Sequence, residues 1–314
     1  MFTAGTTTRI LAGAIAIGAI VALSGCSTSD PTGASPDGGG KSGSGSTPIV
    51  VGSFNFPESE ILGNMYALAL KDAGFTVTTK FNLGPRQTTI PALKDGSINL
   101  MPEYNGNLLF FYDTKASAKT TADVDAALKT EIPKDFQVLE PSPAQDKDAY
   151  VVTQAMAKKE GLESISDLSK IEPFTLGANP QFGTLPYGIP GLKSTYGVDK
   201  VTFKSIEDYG GPDTVKALVD DTVQVADIYT TSPDLVTKKL QVLQDPENLI
   251  ASQNVLPFLN KEISSTKLAS VLNKISAKLT TDDLIALRNR VEGSEKAQAA
   301  TAAKDWLTKE GLLQ

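Results

Sequence analysis

Two thirteen-residue stretches of this chain, Ala92 to Tyr104 and Ala217 to Tyr229, align without a gap. Each reads as the end of a helix, a tight turn, a strand and then a tyrosine just past the strand. Apolar alternation makes such matches cheap, so on the residues alone two accounts stand: unrelated helix-turn-strand units, or two halves built alike. In open α/β sheets ligands bind beyond the carboxyl ends of the strands. Two like halves facing each other would therefore set Tyr104 and Tyr229 across one cleft.

The surrounding pattern fits an α/β protein. Short β-branched runs alternate with helical periodicity: Ile49 to Gly52, a helix from Pro57 to Ala73, Thr76 to Phe81, a short helix to Lys94, and Ile98 to Met101. A second series runs through Tyr150 to Thr153, Phe174 to Gly177, Val201 to Ser205, a helix from Pro212 to Val219, and Val223 to Ile228. This alternation is the mark of βαβ units. After Val255 to Leu259 the pattern turns helical, with Leu268, Val271, Leu272, Ile275 and Leu279 on one stripe and Trp306 and Leu307 in a last helix.

Composition removes whole classes of chemistry. The chain has no histidine, which excludes Ser-His-Asp and Cys-His catalysis and histidine metal sites. Its one cysteine, Cys26, excludes an intramolecular disulfide. A net charge of −7 with no Lys/Arg stripe argues against nucleic acid as partner.

The N-terminus reads as an address. Arg9 precedes an Ala/Gly-rich apolar run from Ile10 to Leu23, marginal as a membrane span, which ends at Leu23-Ser24-Gly25-Cys26. This resembles the lipobox of bacterial lipoproteins; the resemblance implies a signal peptide over 1–25 and a diacylglyceryl anchor on Cys26. The other reading is a transmembrane anchor with an incidental cysteine. Residues 26–48, almost all Ser, Thr, Gly, Asp and Pro after the cysteine, read as a flexible tether.

Several further pieces occur in order: Gly52-Ser53 through Glu58 with Ile61-Leu62, Ala92-Leu93, Pro102-Glu103-Tyr104-Asn105-Gly106-Asn107, Gly188-Ile189-Pro190-Gly191-Leu192, and Tyr229-Thr230-Thr231. On these the chain, from about Ile49 to Leu313, resembles the osmoprotectant-binding proteins of ABC importers, the glycine betaine, choline and carnitine type. The resemblance implies a type II periplasmic-binding-protein fold: two lobes, a cleft between them and two hinge strands. It implies lobe 1 from 49–149 plus 253–314 and lobe 2 from 150–252, with the crossings near Tyr150 to Thr153 and Asn254 to Pro257. It also implies no enzymatic activity, no cofactor, a monomer delivering a small solute to a permease and ATPase complex, and a place on the extracytoplasmic face of the membrane.

A trimethylammonium head offers no conventional hydrogen-bond donor, so aromatic faces hold it, at about 0.5–2 kcal/mol per ring. By position Tyr104, Tyr150 and Tyr229 match cage tyrosines of the resembled family, with Tyr209 as a fourth candidate. Asp148 matches an acidic residue near the cation, Asn107 stands where a threonine is common, and Thr230 follows the Tyr229 cage position. Two departures weaken the match to a zwitterion: Leu185 replaces a carboxylate-holding arginine, and Phe54 replaces a lysine. Arg86 is the best local substitute, against the alternative of a solvent-exposed loop charge, and Tyr187 offers one further aromatic. The sequence therefore leaves open a different small solute in the same fold, an acid–base enzyme built on Glu58, Glu103 or Asp148, and a surface lipoprotein with no small ligand.

Overall fold

The computed structural model describes residues 47–313; the expected leader 1–25, Cys26 and the tether up to residue 46 lie outside the described residues. Ten strands form two five-stranded sheets. In chain order they are β1 (Ile49–Gly52), β2 (Val77–Lys80), β3 (Leu100–Tyr104), β4 (Phe136–Val138), β5 (Tyr150–Thr153), β6 (Phe174–Ala178), β7 (Val201–Ser205), β8 (Val225–Asp227), β9 (Leu240–Val242) and β10 (Val255–Asn260). The first sheet runs β2-β1-β3-β10-β4 and the second β7-β6-β8-β5-β9.

The two orders are the same order. In each sheet a first strand pairs in parallel with the next strand and with the strand of the echoed segment, β1 with β2 and β3, β6 with β7 and β8. Each sheet is then completed by a strand that runs antiparallel, β10 or β5, and carries one further antiparallel edge. The likeness reaches single side chains. Asn99 accepts a hydrogen bond from Val50 N at 2.7 Å, and Gln224, its counterpart in the alignment, accepts one from Thr175 N at 3.0 Å. The turn before each strand holds a left-handed residue at the aligned position, Gly96 (φ 78°) and Asp221 (φ 55°). Of the two accounts left open above, the halves built alike is the one the structure takes.

The antiparallel strands explain how the chain changes sheets. It passes from β4 in the first sheet to β5 in the second over residues 139–149, and returns from β9 to β10 over residues 243–254. The two passages are tied where Gln145 and Asn254 form an antiparallel bridge, with Asp146 N donating to Gln253 O at 3.1 Å and Val255 N to Ala144 O at 3.0 Å. Both passages precede the segments expected to carry them: Tyr150 to Thr153 is already β5, hydrogen-bonded to β8 and β9, and Val255 to Pro257 is already β10, paired with β3. Their apolar residues suit either place, but the pairing partners decide it.

β3 also extends further than its sequence suggests, through Pro102 to Tyr104. Pro102 lies opposite Pro257 of β10. Two facing prolines fit only at a non-hydrogen-bonded position of an antiparallel pair, with both nitrogens turned outward, and pairing with β1 has ended by Leu100. Strand geometry therefore carries to Tyr104, setting that residue at the sheet's edge.

Burial follows the layers. The first sheet, the helix Pro57–Asp72 and the C-terminal helices Thr266–Lys278, Thr281–Glu292 and Ala299–Lys309 share one core, closed by Trp306 and Leu307. The second sheet is covered on both faces: Tyr150 and Val152 enter one cluster and Val151 the other, as strand alternation requires. Among the described residues no helix is long and apolar enough to cross a membrane.

Candidate ligand-binding site

The carboxyl ends of the parallel strands gather aromatic and acidic side chains. From the first sheet, the segment after β1 supplies Phe54 and Phe56, whose rings stack at 5.6 Å and 10°. Tyr104, at the end of β3, lies 6.3 Å from Phe56 and donates its hydroxyl to Glu58 Oε1 at 2.5 Å. Glu58 is the second residue of the helix Pro57–Asp72 and only 1% exposed. Burial raises its carboxyl above the ordinary range, with nearby Arg288 working against the rise.

Arg86 begins the helix Arg86–Lys94, and the structure gives it a partner within its own half. Its Nε and Nη2 donate in parallel to the two oxygens of Glu103, each at 2.8 Å, and its guanidinium lies 5.2 Å over the Phe54 ring. Burial works against the guanidinium's charge, but the Glu103 carboxylate more than offsets it. Phe54, the residue that stands in place of a lysine, is thus the platform on which Arg86 rests.

The second sheet contributes a pair of carboxyls. Asp148, just before β5, and Asp227, the last residue of β8, are both buried, at 9% and 1% exposure. They interact side chain to side chain. Asp227 Oδ1 accepts from Ala149 N at 3.2 Å, while Oδ2 has no donor among the described residues. Burial pushes the Asp148 carboxyl up to about 6, opposed by its hydrogen bonds to Asp227 and Tyr187, and lifts Asp227 well above the ordinary range, helped by the Asp148 charge. Asp227 was invisible to the sequence reading because it closes an apolar strand; its counterpart in the alignment is Pro102, so the repeat offered no hint.

The two groups meet electrostatically. Burial and then Asp148 and Asp227 raise the phenols of Tyr187 and Tyr229, and Arg86 from the other sheet acts on Tyr187 in the opposite sense. Asp146, on the first passage between the sheets, bears on both Tyr104 and Tyr229. A polar strut joins the halves there: Thr231 donates its hydroxyl to Asp146 Oδ1 at 2.8 Å and receives Arg288 Nη1 at 2.9 Å. Arg288 is braced in turn by Glu292. With the single Thr231 proton given to Asp146, Glu58 Oε2 is left without a donor.

Of the residues singled out from sequence, Arg86, Tyr104, Asp148 and Tyr229 are linked by these electrostatic influences, in which Tyr187 shares. The others have different commitments. Tyr150 is wholly buried against Phe182, 5.4 Å away, and its hydroxyl donates to Tyr187 O at 2.8 Å, so it shores up Tyr187 from beneath. Asn107 is held by Gln253 through its backbone N–H and side chain, and Thr230 accepts Lys147 N at 3.0 Å. Both fasten the passages between sheets. Tyr209 is 55% exposed on the loop after β7, with its N–H donated to Asn179 Oδ1.

Comparison with known proteins gives a consistent picture. The OpuAC family model, the substrate binding domain of ABC-type glycine betaine transport systems, matches residues 47–309. The glycine betaine-binding protein YehZ of Escherichia coli K12 is 26% identical over 280 residues, covering 84% of this chain and 91% of that protein. The ergothioneine transport permease/ergothioneine binding protein EgtU of Helicobacter pylori G27 is 24% identical over 271 residues, 84% of this chain and 48% of that longer protein. A crystal structure described as a glycine betaine/carnitine/choline ABC transporter shares the fold with a TM-score of 0.75 at 24% identity, covering 85% of this chain and all of that one.

Proposed function

This chain belongs to the OpuAC family of substrate-binding domains, and from that premise we propose that it is the extracytoplasmic solute receptor of an ABC importer, holding a quaternary-ammonium compound in an aromatic cleft between its lobes. The lobes are proposed as 49–149 with 253–314, and 150–252. The observation that supports the reading is that Asp146 bears on both Tyr104 of the first half and Tyr229 of the second, while Arg86 of the first half bears on Tyr187 of the second. Ring faces and carboxylates are the two surfaces a methylated ammonium favours, since its charge is spread over methyl groups that donate no conventional hydrogen bond.

Within this reading Tyr104, Tyr229 and Tyr187 form the cage, Asp148 supplies the counter-charge, and Arg86 and Tyr209 stand at the cleft's edge. Tyr150, Asn107 and Thr230 act one step back, setting the walls and the hinge. Closure of the lobes over the solute is the signal the permease and ATPase complex reads. Delivery requires a single copy of the chain, tethered to the membrane through a lipid on Cys26. The likeness to transport proteins across 47–309 also supports a binding role over acid–base catalysis by Glu58, Glu103 or Asp148, each of which has a structural partner.

A thermal-shift screen of quaternary amines, betaines and amino acids tests this directly. A rise in Tm with at least one methylated ammonium, abolished by Tyr229→Ala, supports the proposal. A melting temperature unmoved by every such compound refutes it.

A further inference from the structure

The walls of this cleft are not neutral toward the second charge of a zwitterion. Arg86 bears on Tyr187 and Tyr104, yet its charge is matched by Glu103, fully buried behind it and bonded through two N–H groups. Its planar face is covered by Phe54. What Arg86 offers a ligand is a hydrogen-bond donor from a neutral pair rather than a free positive charge. Arg288 is likewise occupied, by Glu292 and Thr231. Lys147, beside Asp148 in the chain, makes no ion pair among the described residues; burial works against its charge, and Asp245 opposes that only in part.

The acidic side has no such neutralisation. Asp148 and Asp227 lie together, and among the described residues no cation is bonded to either. The groups around them are Tyr150, Tyr187, Tyr229 and a third carboxyl, Asp146. Two buried carboxyls in contact do not both ionise; one keeps a proton and donates it to the other. That satisfies the otherwise donorless Asp227 Oδ2 and leaves the pair with one negative charge.

We infer that Asp148 and Asp227 act as a carboxyl pair sharing one proton, whose single negative charge makes the cleft select organic cations without a carboxylate over zwitterionic betaines. The inference rests on the binding site proposed above and names the class of solute it prefers. A cation neutralises the pair on entry. A betaine brings a carboxylate into a space with an acidic excess whose two arginines are already bonded to carboxylates, and its desolvation goes uncompensated. The pair carries that charge as a unit, beside Tyr187.

Calorimetry of the purified protein near neutral pH, with choline and glycine betaine as probes, separates the possibilities. Both carry the same trimethylammonium group and only the second has a carboxylate. Choline is expected to bind at least about tenfold more tightly than betaine, a difference of ~1.4 kcal/mol. Asp148→Asn should remove most of the choline affinity. Betaine binding as tightly as choline, or more tightly, overturns the inference while leaving the proposed function in place. Choline affinity unchanged in a folded Asp148→Asn variant also overturns it. Absence of binding by either probe overturns both this inference and the site on which it rests.

Discussion

Arg86 and Glu103 meet through two parallel hydrogen bonds of 2.8 Å, and Glu103 is fully buried while the Arg86 side chain keeps 18% of its surface. The pair sits between β3 and the start of the helix Arg86–Lys94, where a parallel strand end and a helix N-terminus converge. One carboxylate therefore decides whether this face of the cleft is neutral or positive. Glu103→Gln should cost about 2 kcal/mol of stability by leaving the guanidinium half-paired. It should also raise affinity for glycine betaine, because the Arg86 charge becomes available. Urea unfolding and betaine calorimetry on the variant measure the two effects, and betaine affinity that stays where it was contradicts the neutral-pair account.

The raised carboxyls make a definite statement about pH. Burial holds Asp148 at about 6 and Asp227 well above the ordinary value of 3.8. Between those values the folded chain binds more protons than the unfolded one, so the pair's contribution to stability falls as pH rises through that window. Asp227→Asn lifts the penalty. The difference in Tm between Asp227→Asn and the parent protein, both without ligand, should grow in favour of the variant from about pH 4 to 7. A difference that is flat with pH contradicts the paired carboxyls.

Asn99 and Gln224 hold equivalent strands by equivalent bonds. Asn99 also donates to Pro48 O at 2.9 Å and is 7% exposed, so its loss is the costlier. Asn99→Ala should destabilise by about 1–3 kcal/mol, and Gln224→Ala by about 1 kcal/mol. Because the two lie in different sheets and share no partner, the double variant should show close to their sum in chemical denaturation.

Arg288 reaches from the helix Thr281–Glu292 to Thr231, beyond β8, and thus ties the first sheet's core to the second sheet. Arg288→Met keeps the apolar stem and removes that tie. Small-angle scattering without ligand should report a larger radius of gyration for the variant than for the parent. Identical radii would mean that the strut plays no part in holding the halves together.

Much of this architecture is legible in the residues, and the places where it is not have physical causes. β1, β5 and β7 and the helix Pro212–Val219 stand where the alternation puts them. β4 and β9, three residues each, are too short to carry a period and exist through pairing with β10 and β5. The sequence places the crossings a few residues late, on Tyr150 to Thr153 and Asn254 to Pro257, because an apolar run does not reveal its partners. In the candidate site, tyrosines at strand ends were readable from position alone. The pairing of Arg86 with Glu103, seventeen residues apart, and of Asp148 with Asp227 depends on long-range proximity that sequence patterning does not encode.

The central claim is that Tyr104 and Tyr229, from different sheets, hold one cation between them. A crystal structure of the protein with choline measures this directly. The account predicts the choline nitrogen within about 6 Å of both ring centroids, next to Asp148. Choline in contact with one of these rings alone, or bound elsewhere on the surface, contradicts it.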